Sequence, residues 1–175
     1  MSKKAPATHF YIDDCAADIA RVIAEIARQH PIAEQALQTY YYIILKWMMR
    51  HLEDFITPLV SEEAQRKADK MGLGDLRRYR WRHQPRRMRD PKREIFHWEH
   101  ATQTSDMAKA VIRLTPPSPD NIAAVLRTIT VVWITKRENK KLPPGERPDW
   151  RSAYEQAGIK LLPYPLERGE SIGRT

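Results

Sequence analysis

Apolar residues recur at three- and four-residue intervals over most of the chain, so helices are expected to dominate. Cys15, Ile19, Val22 and Ile26 predict a first helix over about 13–29, with Asp13 and Asp14 offering capping oxygens. Pro31 suits the first turn of a second helix, which Leu37, Tyr41, Ile44, Met48, Leu52 and Phe55 carry to about Thr57. Tyr40, Tyr42 and Trp47 widen that apolar face. Three consecutive residues point in three directions on a helix, so Tyr40-Tyr41-Tyr42 reads as core packing rather than as a stacking platform. Ser61, then Glu62 and Glu63, then Gly72, give a third helix with a cap, favourable dipole charges and a stop.

The period changes after Gly74. Pro85 and Pro91 forbid a continuous helix, leaving a short helix or irregular arm over 75–83 and an extended passage after Pro91. Ile95, Phe96 and Trp98 favour a strand that ends near Glu99-His100. Met107, Val111 and Leu114 suggest a helix from Thr104 to Pro116. Ser118-Pro119 opens another through Ile122, Val125 and Leu126. Thr130–Ile134 is the clearest strand, and Thr135 with Glu138 reads as a capping box launching a short helix, KRENKKL. Asp149 caps a last helix that Gly158 ends.

These elements predict an α+β fold, mostly helical: an amino-terminal helical layer followed by a small two-stranded sheet with a short helix. The strands must pair around the helical stretch 101–129. A single domain is expected over 1–175, divided into a helical part (1–74), a basic arm (75–93), an α+β part (94–162) and a tail (163–175). A hydrophobic content of 42% suits one real core. The single Cys15 excludes an internal disulfide framework and any zinc site built from several cysteines, so a reducing, cytoplasmic setting is expected. No run approaches the roughly 18 apolar residues of a membrane helix, and MSKKAPATHF lacks the apolar stretch of a signal peptide. No membrane partner is expected.

Charge is concentrated in one place. Arg77–Arg93 carries eight Arg and one Lys against Asp90, a net of +8 that equals the net charge of the whole chain. Everything outside it sums to zero. Guanidinium forks grip phosphates and flat rings grip bases, so Arg77, Arg78, Tyr79, Arg80, Trp81, Arg82, Arg86, Arg87, Arg89 and Arg93 are the expected nucleic-acid contacts. A solvated arginine-rich loop, or a contact to an acidic protein, fits the same composition.

Hydrolytic chemistry has two candidate places, Glu99-His100 at the end of the first strand and Glu138 or Asn139 in the short helix after the second. A carboxylate can hold a divalent cation while a neutral imidazole takes a proton from water. His97 is read as sharing a strand face with His100. FHWEHATQT together with VVWITKRENKKL resembles the HNH, or ββα-metal, nucleases over roughly 94–142. The resemblance implies His100 as general base, Glu99 and Asn139 as ligands of Mg or Mn, and phosphodiester hydrolysis, with DNA ahead of RNA as substrate. The sequence departs from that family in lacking a proline shortly after the doublet and the zinc-knuckle cysteines. A non-catalytic DNA- or RNA-binding module, or an interaction subunit with an acidic partner, stands beside it. No Walker loop, GxGxxG, GxSxG or HExxH motif occurs.

Overall fold

A computed structural model describes residues 12–88, 94–145 and 147–163. Residues 1–11 of the helical part, most of the tail and the passage just after Pro91 lie outside the described residues. The order is α1 (Ile12–Gln29), a 3-10 turn (His30–Ile32), α2 (Gln35–His51), a 3-10 turn (Leu52–Phe55), β1 (Leu59–Val60) and α3 (Glu62–Lys70). Three short 3-10 turns follow, Leu76–Arg78, Trp81–His83 and Arg86–Met88. Then come β2 (Phe96–His100), α4 (Thr104–Ile112), α5 (Pro119–Leu126), β3 (Val131–Thr135), α6 (Lys136–Asn139) and α7 (Trp150–Gln156). The fold is α+β with helices dominating.

Local capping sets most boundaries. The hydroxyl of Ser61 accepts from the Ala64 amide, that of Ser118 from Asn121, and the Asp149 carboxylate from Ser152. Thr135 and Glu138 form the full capping box. Gly72, with φ of 63°, closes α3 in the left-handed conformation that a side chain resists.

The second helix is shorter than its periodicity suggests. Pro31 belongs to a 3-10 turn, Ala33 and Glu34 are extended, and α2 begins at Gln35 and ends at His51. At the far end Thr57 precedes Pro58, whose ring disfavours helical backbone before it. Ile56 is already extended (φ −125°, ψ 150°), delivering the chain to β1.

Among the described residues the sheet has three strands, not two, in the order β1-β3-β2. β3 pairs antiparallel with β2 and parallel with the two-residue β1. Nor is the helical layer purely amino-terminal, because α5 packs on α1 and α4 on α2. The β2–β3 connection thus returns to the amino-terminal helices and completes their layer.

β3 is buried at all five positions because it is covered on both faces. Val131 and Trp133 join the main core under the helices. Val132 and Ile134 join a second cluster with Leu142, Trp150, Tyr154 and Ile159. Trp133 is the hub of the first: Trp98 and Phe96 meet it edge-on at 4.7 and 6.3 Å between ring centroids, and Trp81 lies tilted against it at 6.0 Å.

Candidate nucleic-acid interface

The arginine-rich segment is built into the fold. Leu76 and Met88 are buried and belong to the main core, against which Tyr79 and Trp81 pack. Tyr79 donates its hydroxyl to the Leu73 carbonyl at 2.8 Å, while its own carbonyl accepts from Trp133 Nε1 at 3.2 Å. These rings were the expected base-stacking residues. In the fold both rings pack, partly buried, against the core.

The arginines divide accordingly. Arg77 is mostly buried, donating to the Pro163 carbonyl at 2.7 Å and lying 3.5 Å from Asp75. Arg80 donates to the Arg77 carbonyl at 3.0 Å. Arg82 is exposed but held, 3.6 Å from Asp54 and donating to His51 Nδ1 at 2.7 Å. Arg78, Arg86 and Arg87 are exposed and meet no partner among the described residues. Arg89 and Arg93 lie outside the described residues.

Glu99 and His100 leave β2 on opposite faces, as successive strand residues must. Glu99 is buried on the second-cluster side, where Oε1 accepts from Arg147 and Oε2 lies 2.9 Å from His97 Nε2. His97 Nδ1 in turn faces Lys136 Nζ at 3.2 Å. His97 and His100 are three residues apart, so His97 shares a face with Glu99, contrary to the reading from sequence. Beside them the buried Tyr154 hydroxyl has no hydrogen-bond partner among the described residues. Burial pushes its ionisation far above the usual tyrosine range; Glu99 adds to the shift and Arg147 partly offsets it.

His100 faces the helical layer. Its Nε2 lies 2.9 Å from Glu53 Oε2, off the line of an aligned hydrogen bond, and Trp98 Nε1 donates to the same oxygen at 2.8 Å. Burial pushes the Glu53 carboxyl up, but the contacts of His100 and Trp98 and the charges of His100 and Arg50 outweigh it, leaving a net lowering. Sequence reasoning missed Glu53. Its one signal was the acidic pair Glu53-Asp54 between the apolar Leu52 and Phe55.

Asn139 is half-buried at the end of α6. α6 starts after Thr135, which pairs with Phe96, whereas His100 pairs with Val131 at the other end of β3. Four residues of strand, about 13 Å, separate those two ends. Glu138 is committed too, its Oε2 accepting from Ser61 Oγ (2.8 Å), Thr135 N (2.8 Å) and Thr135 Oγ1 (2.9 Å). Glu99, His100 and Asn139 therefore do not fit a shared divalent cation: both Glu99 oxygens are engaged and His100 faces away. Among the described residues no three His, Cys, Asp or Glu side chains gather as metal ligands, and no helix is long and apolar enough to cross a membrane.

In comparisons with known proteins, no family model, curated protein or solved structure matches the chain.

Proposed function

We propose that the protein binds nucleic acid through the outer side of its arginine-rich segment, as a binding module rather than a nuclease. One observation carries this reading: Leu76, Tyr79, Trp81 and Met88 fasten the segment to the core, while Arg78, Arg86 and Arg87 are exposed with no partner among the described residues. Arginines whose backbone is already held lose only side-chain freedom on meeting a phosphate, and that favours binding. The commitment of Glu99 to Arg147 and His97, and the approach of His100 to Glu53, support structural roles for the doublet.

Titration of labelled DNA and RNA with wild type and with the triple variant Arg78→Ala/Arg86→Ala/Arg87→Ala tests it. The triple variant should bind at least tenfold more weakly, about 1.4 kcal/mol, and melt at the same temperature. Undiminished binding would remove the proposal. Metal-stimulated cleavage that disappears in His100→Ala would restore the hydrolytic reading.

A further inference from the structure

Large apolar side chains on the surface gather on α2. Leu37, Tyr40, Ile43 and Trp47 are 42%, 57%, 45% and 59% exposed, and their spacing sets them on one stripe of the helix. Tyr40 and Trp47 are therefore not the core residues that periodicity suggested. At the carboxyl end of the stripe the Trp47 indole stacks on His51, one turn on, with ring centroids 6.2 Å apart and planes 26° from parallel. His51 accepts the hydrogen bond from Arg82 described above, and Asp54 holds Arg82. An open indole is thus backed by an imidazole that an arginine of the basic segment fixes in place.

An exposed apolar stripe by itself suits a second copy of the chain as well as a ligand. Charge separates the two here. α2 contains no Asp or Glu, while Lys46 and Arg50 beside Trp47 are exposed and Arg82 approaches from the next segment. Rings beside the exposed Lys46 and Arg50, on a helix without acids, match a polyanion with stackable bases.

We infer that Trp47, backed by His51 and flanked by Lys46, Arg50 and Arg82, is a base-stacking platform for single-stranded nucleic acid. Tyr40, two turns earlier and about 10 Å along the helix, supplies a second ring. In a duplex the base faces are already stacked, so the platform discriminates for single strands. The inference rests on the nucleic-acid binding proposed above and adds the class of strand.

Anisotropy of a labelled oligo(dT), an oligo(U) and a duplex of equal length tests it with wild type, Trp47→Ala, Trp47→Phe and the arginine triple variant. Trp47→Ala should weaken single-strand binding by roughly 5- to 150-fold, leave its salt slope unchanged and barely alter duplex binding. Trp47→Phe should restore most of the loss, since the site needs a ring rather than an indole. Single-strand binding by Trp47→Ala equal to wild type overturns the platform while leaving the arginine surface standing. So does an equal loss on single strand and duplex, or a wild-type dimer that Trp47→Ala converts to monomer with binding unchanged. If wild type binds none of the three probes, the nucleic-acid reading itself fails and the platform with it.

Discussion

His100 and Trp98, on one face of β2, both approach the same oxygen of Glu53, at 2.9 and 2.8 Å. A carboxylate so placed ties the strand to the 3-10 turn that follows α2. Glu53→Ala would leave the buried Trp98 N–H without an acceptor, at a cost of about 1 to 3 kcal/mol. Denaturant unfolding of the variant beside Glu53→Gln checks this, and Glu53→Gln should retain part of the stability.

The direction of the Glu53 shift gives a pH dependence. Its folded carboxyl is held below the ordinary value of 4.5, so the unfolded chain takes up the proton more readily. The stabilisation is therefore present above the ordinary carboxylate range and is lost as pH falls through the folded value. The stability difference between wild type and Glu53→Gln should be present at about pH 6 and shrink toward about pH 3. A difference that grows on acidification would contradict the assignment.

Trp81 and the outer arginines should behave in opposite ways. Removing a ring that packs 6.0 Å from Trp133 should cost about 1 to 3 kcal/mol of stability in Trp81→Ala. Arg86→Ala and Arg87→Ala should leave the melting temperature in place. Thermal melts of the three variants decide whether the segment is anchored as described.

Glu99 and Arg147 form a pair in which each side chain is 10% exposed. Arg147→Ala leaves a buried carboxylate facing only His97 and should cost about 3 to 5 kcal/mol, whereas Glu99→Gln/Arg147→Met should cost less than that single change. A double-mutant cycle from unfolding curves measures the coupling, and additive losses would mean the two act independently.

The parts of this fold that were legible in the sequence are those fixed within a few residues. Ser61, Ser118, Asp149 and the Thr135–Glu138 box act on amides three positions away, so their spacing is visible in the chain. β2 and β3 were readable from β-branched and aromatic content. Long-range relationships were not. Leu59-Val60 is a strand only because Val132 and Trp133 lie beside it. Tyr79 and Trp81 look like contact residues among arginines until Trp133 is seen to bond the Tyr79 carbonyl and to pack against the Trp81 ring. The partners of Glu99 and His100, namely Arg147 and Glu53, come from a loop and a 3-10 turn far away in sequence. Strand alternation alone places His97 and Glu99 on one face of β2 and His100 on the other.

The salt dependence of binding reads how many phosphates this surface holds. Affinity for one labelled oligonucleotide, measured from low to high salt, gives a log–log slope whose magnitude counts released counterions. Arg78, Arg86 and Arg87 meeting three phosphates requires the slope of Arg78→Ala/Arg86→Ala/Arg87→Ala to be smaller in magnitude by roughly 2 to 3. A triple variant with the affinity and the slope of wild type would contradict nucleic-acid binding through this surface.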